Sequence, residues 1–270
     1  KCSSGFTTPL PEEYVEINKR IQDGEIGDIV SGQVYWNSGG VWVKPRTPEQ
    51  TEMEYQMRNW YYFNWLCGDH IVEQHVHNID VANWIKNSYP ISAQGTGGRL
   101  QRTGKDSGEI FDNHSIEFTY EDGSVIQSQC RHFQGCANRV DESFQGTKGK
   151  VYLNATTSIG KLFDHKGNTI YNYEGKGDPN PYQLEHNELF AAVEAGQYKF
   201  ADAERAAKSN MTAILGRYAT YSGKIVKLDE AINSNINLMP DTFTWDAQMK
   251  LVPDAEGNYP HAIPGKAKVI

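Results

Sequence analysis

Short strand-like segments joined by tight turn sequences fill the chain between residues 113 and 173. Ser115–Tyr120 and Ser124–Cys130 are predicted strands, and Glu121-Asp122-Gly123 between them is a strong hairpin signal. Two further pairs of the same kind follow, namely Ser143–Gln145 with Lys150–Asn154 and Lys161–Phe163 with Thr169–Tyr173. Because hairpins join antiparallel strands, this region predicts a largely antiparallel sheet.

Helical spacing of apolar residues is found on both sides of this region. The first predicted helix is Pro11–Ile21, with Tyr14, Ile17 and Ile21 on one stripe. The other predicted elements are helices at Ile71–Lys86, Tyr182–Ala195 and Asp202–Tyr221, strands at Ile29–Trp36 and Ile91–Leu100, a surface loop from Ser38 to about Tyr55, and an irregular tail from Asn233. Helices that bracket a run of hairpins are typical of the α+β class.

The composition excludes several classes of protein. The chain has 270 residues and a formal net charge of −8, whereas a nucleic-acid surface needs an excess of basic residues. No apolar run approaches the roughly 18 residues of a membrane span. The start of the chain, Lys1–Gly5, lacks the apolar core of a signal peptide, so the compartment, cytoplasmic or periplasmic, stays open.

The four cysteines show neither C-x-x-C pairing nor zinc-finger spacing. Cys130 and Cys136 flank a short segment and could form a disulfide in an oxidising compartment. Two free thiols, one in a strand and one in the loop after it, are the favoured interpretation.

Ionisable side chains are concentrated between Gly68 and Asp80, directly after the aromatic run Trp60–Trp65. On a regular helix Glu73 and His77 lie one turn apart on the same face. A carboxylate bonded to an imidazole raises the basicity of the ring and fixes its tautomer, which suits a proton-transfer catalyst. The preceding aromatic run suits stacking against a sugar, although a packed core explains it equally well.

Asp80 and His70 extend the same polar stripe, whereas His75 lies about 200° around the helix axis from His77. The polar face could simply meet solvent. Alternatively, a metal could support lyase or hydrolase chemistry on a carbohydrate. Its ligands would be His70, Glu73 and His77, completed by His132 or His186, and this i, i+3, i+7 arrangement is geometrically possible on a helix. The divergence of His75 from His77 argues against a Glu-x-His-x-His site, and no metal is expected.

Several stretches resemble one family of enzymes. They are residues 60–69, 73–80, 24–29, 146–149, 185–190 and 215–224. From about Glu12 to the C-terminus the chain is similar to the Gfo/Idh/MocA oxidoreductases, more narrowly to the branch common in Bacteroidetes and Planctomycetes. The family usually shows Asp-x-x-x-His-x-x-Asp after glycines. Here Glu73 replaces the first aspartate, and His75 stands where a glycine is common.

The resemblance implies a large open, mainly antiparallel (mixed) sheet with helices on one face and homo-oligomer contacts on the other. It implies that His77 is the acid/base group for a substrate hydroxyl and that Glu73 is its carboxylate partner. The candidate substrate-binding residues are Trp60, Tyr61, Asp69, His70, Asp80, Arg131, His132 and His186. The expected substrate is a sugar, polyol or glycoside, and the expected cofactor of the complete enzyme is NAD or NADP.

The family's nucleotide-binding domain is not found in this sequence. Gly95-Thr96-Gly97-Gly98 lacks the third glycine and the following helix of a dinucleotide-binding fingerprint. Lys44 stands in a Lys-Pro pair like one in that domain, but the role does not carry over. We therefore expect a leader at 1–10, a substrate-binding and oligomerisation domain at 11–232 and an extended tail at 233–270, with no cofactor bound by this chain alone. A non-catalytic carbohydrate-binding or oligomerisation module is the other alternative.

Overall fold

A nine-stranded open sheet forms the centre of the molecule, in the order β8-β7-β6-β5-β1-β4-β3-β2-β9. The computed structural model describes residues 12–154, 156–174, 180–198 and 202–270, so the expected leader with Cys2 lies outside the described residues. The strands are β1 Ile29–Ser38, β2 Ser92–Gly98, β3 Asn113–Thr119, β4 Val125–His132, β5 Arg139–Gly146, β6 Gly149–Asn154, β7 Ile159–Asp164, β8 Thr169–Asn172 and β9 Val226–Lys227.

The predicted hairpins β3–β4, β5–β6 and β7–β8 are all antiparallel pairs. The central strand β1 pairs antiparallel with β5 and parallel with β4. A parallel neighbour needs a crossover, and the long segment between β1 and β4 provides it. The predicted fold class, a mixed and mostly antiparallel open sheet with helices, is confirmed.

The helices are α1 Glu12–Gln22, α2 Glu52–Arg58, α3 Asn64–Cys67, α4 His70–Glu73, α5 Val76–Lys86, α6 Pro181–Glu194, α7 Ala203–Ser222 and α8 Leu228–Ile232. α1 packs on β7, α5 on β1, and α7 on β2 and β3. The core lies between these helices and one face of the sheet, where Ile17, Ile79 and Phe144 are buried. Along β3 and β4 the residues of the other face are half-buried or exposed, and most are polar, such as Gln127 and Gln129. The sheet therefore has one covered and one open face.

Two predicted elements differ in the structure. The loop predicted up to Tyr55 contains the start of α2, whose capping box joins Thr51 and Glu54. The Thr-x-x-Glu spacing is a recognised helix-start signal and would have identified this helix. In α6, the apolar side chains at helical spacing do not all face a core: Phe190 is 61% exposed and Val193 49%.

The remaining sequence predictions concern thiols, membrane spans and the tail. Cys130 and Cys136 are free thiols, the first buried and the second exposed, so they form no disulfide. Among the helices of the described ranges, none is long and apolar enough to cross a membrane. Residues 233–270 contain no helix or strand and pack on the same body through side chains such as Met249 and Tyr259.

Candidate active site

The predicted helix Ile71–Lys86 is interrupted at Gln74 and His75, between α4 and α5. There the His75 N–H donates to the carbonyl of His70, five residues back, at 3.2 Å. Such a wide turn inserts one extra residue into the helical path and rotates everything after it. Glu73 therefore lies before this turn, at the end of α4, whereas His77 and Asp80 lie after it on one continuous helix, α5.

The two proposed catalytic residues flank this interruption. His77 is exposed and packs near the Trp36 ring of β1, with ring centroids 6.1 Å apart. Glu73 is half-buried, accepts a hydrogen bond from the buried Tyr61 and lies near His70. Burial raises the pKa of the Glu73 carboxyl, which the Tyr61 hydrogen bond partly offsets. His77 thus lies at the surface, although partial burial of its ring lowers the imidazole pKa, while Glu73 is hydrogen-bonded to Tyr61.

Asp80 is directed to α7 instead. Its carboxylate accepts hydrogen bonds from Arg205 at 2.7 Å and from Ser209 at 2.6 Å, and it is 1% exposed. It remains close enough to act electrostatically on His77. Because both of its oxygens are bound within the protein, Asp80 joins α5 to α7 and does not present itself to a substrate.

Asp69 is the most constrained residue of the region. It caps α4 with φ 78° and ψ 159°, a conformation that is essentially restricted to glycine. Its Oδ2 accepts hydrogen bonds from the Tyr221 hydroxyl at 2.5 Å and the Phe111 N–H at 3.0 Å. Such strain costs on the order of 1–3 kcal/mol and persists where surrounding contacts over-determine it, as at functional sites.

Three buried histidines surround this aspartate. His70 Nδ1 lies 2.8 Å from Asp69 Oδ1, and His114 Nε2 lies 3.3 Å from the same oxygen. The rings of His114 and His132 are centred 4.8 and 4.3 Å from that of His70. Of the candidate substrate-binding residues, the structure therefore brings together Asp69, His70 and His132. Tyr61 joins them through its ring, which stacks on His132 at 5.6 Å.

Burial sets the protonation of these groups. It lowers the pKa of the His132 imidazole to about 2, helped by the nearby His70 and Arg102. It also lowers the pKa of His75 to about 3, although Asn78 hydrogen-bonds that ring. Burial alone would raise the pKa of Asp69, but His114 and His70 outweigh it and keep that carboxyl ionised.

The other candidate residues lie elsewhere. Arg131 is on the open face of the sheet, opposite to its neighbour His132, because successive strand residues alternate between faces. It donates a hydrogen bond to the carbonyl of Ala137. His186 is exposed on α6, and Trp60 packs against Trp42 with ring centroids 5.6 Å apart. None of these three is part of the histidine group.

The sequence prediction missed His114 and Tyr221. A signal for His114 was available, since its position in β3 shares the inward face with Ile116 and Phe118, where a histidine is unexpected. Tyr221 gave no comparable signal, because a tyrosine near the end of a helix is ordinary. Its contact with Asp69, which is 152 residues away in the sequence, results from folding.

Comparison with known proteins agrees with this architecture. Residues 14–152, about half of the chain, match the family model for the GFO/IDH/MocA C-terminal domain. No curated protein matches the sequence. An oxidoreductase structure from Thermotoga maritima is 20% identical with a TM-score of 0.58, covering 80% of this chain and 60% of that one.

Two further similar structures are of enzymes that are named after sugars. Aldose-aldose oxidoreductase from Caulobacter crescentus, solved with glycerol, is 16% identical with a TM-score of 0.64, covering 83% of this chain and 62% of that one. Levoglucosan dehydrogenase, in complex with NADH and levoglucosan, is 14% identical with a TM-score of 0.61, covering 80% and 63%. These likenesses show a common fold, and the chain spans about 60% of the length of such proteins.

Proposed function

The chain belongs to the Gfo/Idh/MocA C-terminal domain family, and from this premise we propose that it is the substrate-binding and acid/base part of an NAD(P)-dependent oxidoreductase. We propose a sugar, polyol or glycoside as the substrate and the branch common in Bacteroidetes and Planctomycetes as its place in the family. The observation that carries the proposal is the exposed His77 at the start of α5, in the segment that resembles the family's His-x-x-Asp motif.

The chemistry needs one proton acceptor from this chain. Oxidation of a carbinol breaks its C–H and O–H bonds, and the nicotinamide supplies the hydride acceptor when it is bound. The neutral His77 imidazole takes the hydroxyl proton as the carbonyl forms. Trp36, whose ring lies beside His77, offers an apolar surface for the C–H face of a sugar. Glu73, at the end of α4, accepts a hydrogen bond from Tyr61.

The cofactor must be held by residues outside the glycine cluster of this chain. Gly95–Gly98 lies inside β2 and pairs along its length with β3, so it forms no strand-to-helix turn that could hold a diphosphate. We therefore propose that NAD or NADP is held by a nucleotide-binding domain in the complete protein. The levoglucosan dehydrogenase and aldose-aldose oxidoreductase structures support a carbohydrate substrate class by fold likeness alone.

The direct test is a cofactor-linked assay of the complete protein. It would be mixed with NAD or NADP and with a panel of aldoses, polyols and glycosides, and formation of the reduced nicotinamide would be followed by absorbance. We expect turnover with at least one sugar-type substrate. Sugar binding by calorimetry without reduction of either cofactor would contradict the proposal and favour a non-catalytic carbohydrate-binding module.

We also propose that the open face of the sheet joins copies of this chain into a homo-oligomer. Gln33, on the central strand β1, lies on this face between Gln127 and Ser143. Substituting Gln33→Arg would place like charges at a self-complementary contact and is expected to convert the oligomer to monomer. Light scattering during size exclusion measures the mass. Gln183→Arg on α6 is the matched control, and an unchanged mass in Gln33→Arg would exclude this face.

A further inference from the structure

The group formed by Asp69, His70 and His114 has the geometry of a metal site. Each residue offers one ligand atom, and these atoms all lie within 4.8 Å of one another. Asp69 Oδ1 is 3.3 Å from His114 Nε2 and 2.8 Å from His70 Nδ1. Tetrahedral zinc with bonds of about 2.0–2.1 Å has ligand-to-ligand edges of about 3.3 Å. The Asp69–His114 edge already has this length, and an ion would require the His70 nitrogen to move about 0.5 Å away from Asp69 Oδ1.

One tautomer of His114 leaves a lone pair facing the carboxylate. In the tautomer in which the single hydroxyl hydrogen of Thr220 goes to the helix carbonyls of Gly216 and Arg217, Thr220 Oγ1 accepts from His114 Nδ1 at 2.9 Å. In the neutral ring the lone pair is then on Nε2, which points at Asp69 Oδ1. Two electron pairs in contact repel each other, and a cation between them removes the conflict.

A buried ring nitrogen without a partner faces the carboxylate. His114 Nε2 is buried, has no hydrogen-bond partner among the described residues and lies 3.3 Å from Asp69 Oδ1. A buried polar atom without a partner costs roughly 1–3 kcal/mol, and a cation between the two atoms would satisfy both of them.

The surroundings are those of oriented metal ligands. His114 Nδ1 is hydrogen-bonded to Thr220, and Asp69 Oδ2 is held by Tyr221 and Phe111. Metal-binding histidines and carboxylates are characteristically fixed in this way by outer hydrogen bonds. The strained backbone of Asp69 has an explanation in the same terms, since it aims the carboxylate at the two rings.

We propose that Asp69 Oδ1, His70 Nδ1 and His114 Nε2 bind one divalent transition-metal ion of the zinc class. Imidazole with one carboxylate favours zinc over magnesium or calcium, which prefer oxygen ligands. The site is closed to solvent, so its role is structural. It ties the start of α4 to β3, with α7 holding the outer hydrogen bonds, directly before the Gln74–His75 interruption. The proposal is independent of the proposed oxidoreductase function.

The test is metal analysis of tag-free protein, produced with zinc in the medium and dialysed against a chelator. We expect one equivalent of bound zinc. Cobalt substitution is expected to give visible absorption bands of a low-coordinate site with nitrogen and oxygen ligands. Asp69→Asn and His114→Gln should lose the metal, and Thr220→Val, which removes only an outer hydrogen bond, should weaken zinc binding about 10–100-fold.

His75→Gln is the matched control, because His75 is equally buried but both ring nitrogens are bound, by Asn78 and Ser128. It should keep the full equivalent of zinc. Wild-type protein that binds no metal, or that gives no visible cobalt bands, would overturn the proposal even if the Asp69 and His114 variants fail to fold. Equal zinc affinity in wild type and Thr220→Val would also overturn it, since the metal would then sit elsewhere.

Discussion

Replacing His77 with alanine is expected to lower kcat for sugar oxidation by the complete protein about 10²–10⁴-fold, the usual contribution of a general base. The hydroxyl proton must leave as the hydride leaves, and water is a much weaker acceptor than a placed imidazole. The KM for the sugar should change far less, because the imidazole acts mainly in the transition state. Steady-state kinetics with the best substrate of the panel measures both constants.

The pH profile separates a proton-transfer role from a purely structural one. In the wild type kcat should rise as His77 loses its proton, and this rise should disappear in His77→Ala. His165→Ala is the control, because His165 lies on the β7–β8 turn and contacts the Thr147 carbonyl, away from His77. A His77→Ala enzyme with wild-type turnover and an unchanged pH profile would show that His77 is not the general base, whatever the substrate.

Replacing Glu142 with glutamine is expected to stabilise the fold by about 3 kcal/mol above pH 7. Glu142 lies on the inner face of β5, 2% exposed, and accepts hydrogen bonds from Tyr14 of α1 and Asn78 of α5. Burial raises the pKa of this carboxyl from 4.5 to about 7, despite both hydrogen bonds. The folded state therefore holds a proton that the unfolded chain releases near its ordinary pKa.

The direction of the effect follows from that difference. Below pH 4.5 the Glu142 carboxyl is protonated in both the folded and the unfolded state, so its ionisation does not change the free energy of unfolding. Between pH 4.5 and 7 only the folded state keeps the proton. The free energy of unfolding falls through this range and levels off above it. Glutamine cannot ionise; it still accepts from Asn78, and the Tyr14 hydroxyl can turn to accept from its amide. The variant should therefore lose this fall.

Urea unfolding at several pH values between 4 and 8.5 measures the prediction. Glu117→Gln is the matched control: Glu117 lies on the open face of β3, bonded to the Gln94 and Gln127 amides, and its loss should change stability by less than about 0.5 kcal/mol. Parallel pH curves for wild type and Glu142→Gln would show that Glu142 is not the group that titrates.

Much of the fold could be predicted because its signals are local. Turn sequences such as Glu121-Asp122-Gly123 and the β-branched and aromatic content of the flanking segments identified three hairpins without knowledge of their partners. The family resemblance, carried by the segment around His77, is confirmed by the match over residues 14–152. The prediction that the apolar residues of α6 are all buried was wrong, because helical spacing shows only that residues share one side of a helix. It does not show that another element covers that side.

The Gly68–Asp80 segment shows where local reasoning ends. Its sequence determined that ionisable groups are concentrated there and that His75 and His77 point in different directions, since adjacent positions on any helical path diverge. Folding introduced the wide turn at Gln74, which separates Glu73 from the helix that carries His77, and it bound the Asp80 carboxylate to Arg205 of α7. It also gathered Asp69, His114 and Tyr221 from three distant segments, because burying β3 and α7 against α4 brings those side chains into contact.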